Sequence, residues 1–265
     1  MNIPFYKCNA NGNDFIIISH SDDLDYKLFT KEKIKSICNY GKDSSIDGFI
    51  LLHNIDDLNK MSYFNNDGSW ETLCINGLTC SSLLLKKTVS IKKLNIISNN
   101  IPYPIEIENR DKVKIKLPAP KYKIKNIKLN NIHGTYIDSG AKHFIIEVKE
   151  WINDTQLVEL AKKIRYNKEV FPDGTNVNFF KLLNQHTIEV KTYEKGVEKL
   201  MDSCASGSYA CAYDAYVNKK TESKIIIINP GGKFDITINA NTQNYYILNS
   251  AVLECSHTID LSLYA

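Results

Sequence analysis

The sequence predicts an α/β (α+β) protein made of two pseudo-symmetric domains, each a copy of one repeated unit. Three observations support this prediction. A chain of 265 residues is long enough for two domains of ordinary size. Short segments rich in β-branched and aromatic residues alternate with helical segments. Several short sequence matches recur in the same order at nearly one offset, as expected for a duplicated unit.

The duplication is visible at four places along the chain. Each pair of matching segments is separated by about 130 residues, close to half the chain. The pairs are Asp14–Ile17 with His143–Ile146, Gly48–Leu52 with Asn178–Leu182, Cys74–Gly77 with Cys204–Gly207, and Ile105–Ile107 with Ile236–Ile238. Each match is weak alone, but four in one order indicate two copies of one unit.

The same order of elements is predicted in both copies. Strands are predicted at Phe15–Ser19 and Phe144–Val148 from their apolar and β-branched residues. Helices follow at Lys31–Cys38 and at Thr155–Ile164, the second with Asp154 as its N-cap. The small residues of segment 208–217 predict a helix that is buried on most sides.

A short proline-containing segment separates the two copies. Lys112–Leu117 alternates charged and apolar residues and is predicted to be a strand. Pro118–Pro120 then ends that strand and serves as the linker. The last strand, Ile259–Leu263, is expected to return to the first half. The predicted domains are therefore residues 1–118 plus about 256–265, and residues 119–255.

Composition and charge exclude several functional classes. Hydrophobic residues are 43 % of the chain and charged residues 24 %, as in globular proteins. No apolar run approaches the ~20 residues that span a bilayer, and the first residues lack a secretory signal layout. A cytoplasmic protein without a membrane partner is expected. The net charge of +3 is modest, and the basic segment Lys121–Lys128 alternates like a solvated strand face, so no nucleic-acid partner is predicted.

The chain has seven cysteines, and two of them occupy equivalent positions in the repeat. No Cys-x-x-Cys pair occurs, so no metal site is predicted. Cys74 and Cys204 each begin a Cys-x-x-Gly element directly before a helix. Unpaired N–H groups at a helix start lower a thiol pKa toward neutrality and hold a carboxylate.

Two such elements would suit inversion of an α-carbon. If the helix starts of the two domains face each other across a cleft, one thiolate removes the α-proton and the other thiol donates a proton to the opposite face. The N–H groups stabilise the developing enediolate. No lysine or phosphate loop for pyridoxal phosphate is evident, and no cofactor is predicted. Without the repeat, both cysteines would be interpreted as buried packing residues.

At these residues the sequence resembles the diaminopimelate epimerase family over essentially its whole length. The similar segments, in family order, are Lys7–Phe15, Phe64–Ser69, Cys74–Gly77, Asp138–His143, Asn176–Phe179, Tyr193–Glu198, Cys204–Gly207 and Pro230–Gly232. The resemblance implies two pseudo-symmetric domains, each a curved β-sheet or barrel around a central helix, with the active site in the cleft between them. A homodimer is compatible with it, although no motif encodes one.

The resemblance also implies roles for individual residues. Cys74 and Cys204 would be the acid and base, and His143 and Glu194 would lie beside the thiols and tune their protonation. The substrate-binding residues would be Asn13, Asn65, Ile75, Asn76, Gly77, Asn176, Lys195, Ala205 and Ser206. For the asparagines, and above all for Asn65 before Asn66-Asp67-Gly68, a structural role in an Asx-turn is the alternative.

The sequence departs from the family pattern at several positions, some of which bind the distal end of the substrate in the family. Lys195 stands where the family has the arginine that grips the distal carboxylate, and Ala141 and Lys142 replace a polar residue and a proline. Leu200-Met201 replaces Glu-Thr, Ser44-Ser45 replaces a glycine segment, and Ile75 and Ala205 replace glycines beside the thiols.

These departures predict a racemase or epimerase for an amino acid other than diaminopimelate, such as histidine or another basic amino acid. The alternatives are a genuine diaminopimelate epimerase that converts the LL to the meso isomer, a proline racemase, and a retired scaffold that only binds an amino acid.

Overall fold

The structure is a computed structural model that describes residues 2–20, 26–39, 46–55, 58–89, 92–129 and 131–264. It divides into two compact units, Met1–Ile115 with Asn249–Ala265 (unit 1) and Lys116–Leu248 (unit 2). The predicted domain limits at residue 118 and near residue 256 lie slightly later along the chain. Ser44 and Ser45 lie outside the described residues.

The secondary structure alternates strands and helices. The strands are β1 (Asn2–Ala10), β2 (Asn13–His20), β3 (Gly48–Ile55), β4 (Leu58–Asn65), β5 (Trp70–Glu71), β6 (Lys93–Ser98), β7 (Ile101–Ile107), β8 (Lys112–Lys116), β9 (Lys121–Leu129), β10 (Ile132–Asp138), β11 (Lys142–Glu147), β12 (Asn176–Asn184), β13 (Thr187–Tyr193), β14 (Leu200–Met201), β15 (Lys224–Asn229), β16 (Gly232–Asn239), β17 (Asn244–Ser250) and β18 (Val252–Asp260). The helices are α1 (Lys31–Cys38), α2 (Ile75–Val89), α3 (Asp154–Arg165) and α4 (Ala205–Val217).

The two units repeat one pattern of strand pairing, which confirms the predicted α+β fold class. In unit 1, β2 pairs in parallel with β3 across α1, and β4 pairs in parallel with β6 across α2. In unit 2, β11 pairs in parallel with β12 across α3, and β13 with β15 across α4. Parallel neighbours need a crossover connection, and here a helix supplies each one.

Helices α1 and α3 each cover one face of their own sheet. α1 buries Ile34, Ile37 and Cys38 in a hydrophobic cluster with residues of β2 and β3. α3 buries Leu157, Ala161 and Ile164 against β11 and β12 in the same way. Their polar faces remain outside, so the amphipathic pattern of each helix positions it on the sheet.

The start of α3 differs by one residue from the sequence prediction. The N-cap is Asn153, whose Oδ1 accepts a hydrogen bond from the N–H of Gln156 at 2.9 Å. Asp154, the predicted cap, is the first helical residue, and its carboxylate accepts instead from Lys191 Nζ at 2.7 Å. The amide oxygen of Asn153 thus satisfies one of the N–H groups left unpaired at the start of the helix.

Helices α2 and α4 are the inner helices of their units. α2 contacts strands β1, β2, β4, β6, β7 and β18, and α4 contacts β11, β12, β13, β15 and β16. α4 is built of small residues and is buried from Ala205 to Ala212. It begins three residues earlier than predicted, and α2 and α4 each begin one residue after a cysteine, Cys74 and Cys204.

The last strand completes the sheet of unit 1. β18 pairs antiparallel with β1, from Asn2 opposite Asp260 to Asn9 opposite Val252. It therefore begins earlier than the predicted Ile259–Leu263, and Leu261–Leu263 forms a 3-10 turn. None of the helices in the described part of the chain is long and apolar enough to cross a membrane.

Candidate active site

Cys74 stands immediately before the first turn of α2, as predicted. The N–H of Gly77 donates to Cys74 Sγ at 3.3 Å, and the N–H of Leu78 donates to the Cys74 carbonyl at 2.9 Å. Gly77 has little space for a side chain, since an added Cβ would lie 3.1 Å from Ile50 Cδ1 and 3.4 Å from the thiol sulfur. The half-buried thiol thus lies at the positive end of a helix, where a thiolate is stabilised.

Buried amide side chains surround this helix start. Asn76 Nδ2 donates to Asn13 Oδ1 at 2.6 Å, and Asn76 Oδ1 accepts from Asn249 Nδ2 at 2.9 Å. Asn13 Nδ2 in turn faces the buried carboxylate of Asp47 at 3.4 Å. The structure therefore brings Asn13 and Asn76 together, and both amides bond within unit 1. Ile75, Asn76 and Gly77 can offer a ligand the main-chain N–H groups of the first helical turn.

Asn65 lies in the turn that ends β4, but its side-chain oxygen does not form the Asx-turn considered from the sequence, and its substrate role stays a prediction. It ends β4 in a tight turn, where the N–H of Gly68 donates to its carbonyl at 2.9 Å and Asn65 Nδ2 donates to Ser69 Oγ at 3.2 Å. The side chain is fully buried, yet Asn65 Oδ1 finds no hydrogen-bond partner among the described residues. A buried acceptor of this kind is costly unless a donor reaches it, so Asn65 can accept from an N–H of a ligand.

Cys204 is the N-cap residue of α4 in unit 2. Its Sγ lies 3.6 Å from Ser206 Oγ, and the Gly207 N–H and the Thr192 side chain lie close enough to favour the thiolate, although the thiol makes no capping hydrogen bond to the helix. The thiol is buried, and burial together with the nearby charge of Glu194 raises the pKa of Cys204 to about 12. The predicted lowering of its pKa is therefore wrong for this protein without substrate, because burial outweighs these three contacts.

His143 is fully buried beside Cys204 and is linked to it through Ser206. His143 Nε2 lies 3.1 Å from Ser206 Oγ, and His143 Nδ1 lies 2.8 Å from Asn178 Oδ1. Burial lowers the pKa of His143 to about 4, although the Asn178 hydrogen bond and the charge of Asp138 oppose that shift. The imidazole is therefore neutral near pH 7 and can accept a proton.

Two residues that the sequence analysis did not assign complete this group. Asn178 Nδ2 donates to Thr192 Oγ1 at 2.6 Å, and the two residues are direct partners across β12 and β13. Gly207 leaves space for Asn178, since a Cβ there would lie 2.0 Å from Asn178 Nδ2. Asn178 belongs to the Asn176–Phe179 motif, and its place two residues after Asn176 on one strand face was the available signal.

Glu194 and Lys195 lie on the loop that follows β13. The N–H of Lys195 donates to Asn176 Oδ1 at 2.8 Å, so the structure joins these two predicted substrate residues through the main chain. Glu194 lies close enough to Cys204 to raise the pKa of its thiol. Among the residues that depart from the family pattern, Lys142 pairs with Asp173 at 3.3 Å, and Leu200 and Met201 form β14 beside β13.

A partly buried ion pair, which was not predicted from the sequence, holds this loop. Arg165 Nε and Nη2 both donate to Glu198 Oε1, at 3.2 and 3.0 Å, and Tyr166 Oη donates to Oε2 at 2.9 Å. Glu198 adopts a left-handed backbone with φ of 59°. Burial opposes ionisation of Glu198, but the Gly196 N–H, Tyr166 and Arg165 lower the pKa of its carboxyl below the usual value.

Replacing Arg165 with methionine is expected to destabilise the fold by about 2 kcal/mol, because it leaves the Glu198 carboxylate without its charged donor. The catalytic rate should also fall, because Glu194, which lies near Cys204, is on the loop that this ion pair holds. Urea denaturation and steady-state kinetics measure the two effects. The matched control is Lys162→Met on the same helix, whose exposed pair with Glu159 is worth less than about 0.5 kcal/mol. Equal stability of the two variants would contradict the prediction.

No group of three or more metal-ligating side chains occurs in the ranges that the structure describes. The residues brought together in unit 1 are Cys74, Ile75, Asn76, Gly77 and Asn13, and those in unit 2 are Cys204, Ala205, Ser206, His143, Glu194, Asn176 and Lys195. Their chemistry is that of two thiols, one neutral imidazole and a set of oriented N–H donors, which suits proton transfer.

Comparison with known proteins gives consistent results. A family model described as diaminopimelate epimerase matches residues 135–253. A diaminopimelate epimerase of Aquifex aeolicus is 31 % identical over 245 residues, covering 84 % of each chain. One of Hydrogenobaculum is 32 % identical over 251 residues, covering 88 % of this chain and 90 % of the relative.

A solved structure of a hydroxyproline epimerase from Agrobacterium vitis, with bound trans-4-hydroxy-L-proline, superposes with a TM-score of 0.76. It covers 97 % of this chain and 92 % of the other, at 10 % identity. At that identity the similarity shows a common fold.

Proposed function

Because the chain belongs to the diaminopimelate epimerase family, we propose that it inverts the α-carbon of an amino acid with Cys74 and Cys204 as the two proton-transfer groups. Family membership makes the chain an isomerase of the epimerase and racemase class. The proposal assigns the residues that move the proton and the amino acid that is inverted.

The observation that carries the proposal is the equivalent placement of the two thiols. Each directly precedes the buried inner helix of its unit, and each has the N–H of the glycine three residues later close to its sulfur. One thiolate would remove the α-proton while the other thiol protonates the opposite face of the carbanion. The N–H groups of the first helical turns would bind the substrate carboxylate and stabilise the enediolate.

The substrate we favour is diaminopimelate. Two relatives of this chain, 31 and 32 % identical over most of their length, are named diaminopimelate epimerase. Lys195 retains a positive charge where the family has arginine, so an anionic distal group remains compatible, whereas a basic side chain would be repelled. Asn65 Oδ1, buried with no partner among the described residues, would accept from a substrate ammonium group.

The second candidate is the altered substrate predicted from the sequence. Ala141 offers no side-chain hydrogen bond where the family has a polar residue, and Lys195 cannot form the bidentate pair of arginine with a carboxylate. These changes weaken discrimination for a distal carboxylate and favour another amino acid, such as histidine.

Exchange of α-hydrogen in D2O separates these candidates. The purified protein is incubated with LL-diaminopimelate and with individual L-amino acids, proline and histidine included, and α-deuterium incorporation is followed by NMR. We expect exchange and inversion of diaminopimelate. Exchange of histidine or another amino acid in its place would establish the altered substrate. Absence of exchange with every compound, together with tight binding of one, would instead identify a binding protein.

A further inference from the structure

Five buried side chains of unit 2, Cys204 included, lie in a ring. Hydrogen bonds link Cys204, Ser206, His143, Asn178 and Thr192 in that order, and Thr192 lies close enough to Cys204 to lower the pKa of its thiol. The four hydrogen bonds measure 3.6, 3.1, 2.8 and 2.6 Å in that order. Every member is more than nine-tenths buried, so bulk water does not compete for these bonds.

The ring has a single direction of donation. Because Asn178 Nδ2 donates to Thr192, Asn178 turns its oxygen toward His143, and His143 Nδ1 must carry the hydrogen of that bond. A neutral imidazole with hydrogen on Nδ1 has a free electron pair on Nε2, which accepts from the Ser206 hydroxyl. The remaining electron pairs of Ser206 Oγ then face Cys204, whose S–H can donate to them.

We propose that Ser206 relays a proton between the Cys204 thiol and His143 Nε2. In the forward step the thiol proton passes to Ser206 Oγ while the hydroxyl proton of Ser206 passes to Nε2, which leaves a thiolate and an imidazolium and restores the Ser206 hydroxyl. No other reactant is needed, and the reverse step returns the proton to sulfur. The relay rests on the proposed function in that it prepares Cys204 as the base of one direction of the reaction.

Burial disfavours each of these charges when it forms alone. The transfer forms a thiolate and an imidazolium together, separated only by the serine, so their attraction recovers part of the cost. The charged groups that act on the pair are Glu194, which opposes the Cys204 thiolate, and Asp138, which favours the imidazolium. Thr192 and the Gly207 N–H stabilise the thiolate from the other side of the ring.

The position equivalent to Ser206 in unit 1 has different chemistry. Asn76 stands there, two residues after Cys74, and its side chain bonds to the amides of Asn13 and Asn249. An amide is neither acid nor base near pH 7, so these amides position the helix start without carrying a proton. The residues two positions after the two thiols therefore differ: Ser206 can pass a proton and Asn76 cannot.

Alkylation of Cys204 by iodoacetamide tests the relay without any substrate. The rate is measured against pH by mass spectrometry of the Cys204 peptide, normalised to the same peptide in denatured protein, for wild type, Ser206→Ala, Ser206→Thr, His143→Gln and the double variant Ser206→Ala/His143→Gln. Thermal unfolding of each variant establishes that it is folded. Since iodoacetamide requires no amino acid, the result is independent of whether the proposed reaction is found.

We expect Ser206→Ala to slow alkylation at pH 8 by about tenfold, which corresponds to a rise of one unit in the thiol pKa. Ser206→Thr keeps the hydroxyl and should stay within about twofold of wild type. His143→Gln should slow the reaction to a similar extent as Ser206→Ala, and the double variant should be no slower than either, because both cut one path. Unchanged alkylation of Ser206→Ala, or losses that multiply in the double variant, would overturn the relay.

Discussion

Replacing Cys204 with alanine is expected to stop inversion of the substrate while leaving one half of the chemistry intact. With a single thiol, the protein can still remove and return the α-proton on one face, so one of the two epimers should exchange its α-hydrogen with D2O. The opposite face receives no proton, and the rate of inversion should fall by about 10³-fold or more. Circular dichroism follows inversion, and NMR of each epimer follows exchange.

The matched control is Cys211→Ala, which removes another buried thiol of α4 that is not part of the ring around Cys204. After correction for the folded fraction, its inversion rate should stay within about twofold of wild type, since buried thiols outside a site act as packing residues. A Cys204→Ala protein that inverts its substrate at a near-normal rate would exclude the two-thiol mechanism.

Among substitutions of the glycines in the inner helices α2 and α4, Gly207→Ala is expected to lower stability and the rate of inversion most. Its Cβ would lie 2.0 Å from Asn178 Nδ2 and 2.8 Å from Asn178 Cγ, so the amide must leave its place between His143 and Thr192. Overpacking of this kind costs about 1–3 kcal/mol. The displaced amide also frees His143 to rotate, and the rate of inversion should drop by about 10²-fold or more, the usual contribution of a positioned acid or base.

The equivalent glycine of unit 1 provides the comparison. A Cβ on Gly77 would lie 3.1 Å from the flexible end of Ile50, which can shift by a few tenths of an ångström. Alanine also favours helix formation over glycine by about 1 kcal/mol. Gly77→Ala should therefore change the free energy of unfolding in urea by less than about 1 kcal/mol. Equal destabilisation by both substitutions would show that Asn178 is not held as tightly as described.

Much of the fold could be predicted because it depends on local patterns. α1 occupies the predicted residues, since Thr30 caps it and Ile34 and Ile37 mark its buried face. The start of α4 was predicted three residues late, because Ala205, Ser206 and Gly207 do not combine into a strong helix signal. This first turn is stabilised by burial in unit 2, and tertiary packing of that kind outweighs local propensity.

The site could be predicted only in part, for a related reason. Cysteine, histidine and serine were found because they lie in recognisable motifs. Asn178 and Thr192 are ordinary strand residues, and their role depends on the register that places them opposite each other in β12 and β13. The raised pKa of Cys204 depends on how completely α4 is surrounded, which no local pattern encodes.

The pairing of β1 with β18 has a consequence for the order in which the protein folds during synthesis. Unit 2 is one continuous segment, so the ribosome releases all of its strands before β18 exists. Until β18 is made, strands β1 to β8 of unit 1 lack one pairing partner. One edge of β1 pairs with β2, and the other edge stays open because β18 is its partner. Completion of unit 1 therefore follows the synthesis of unit 2, and an unpaired β1 edge is the place where a nascent chain would recruit a chaperone or aggregate.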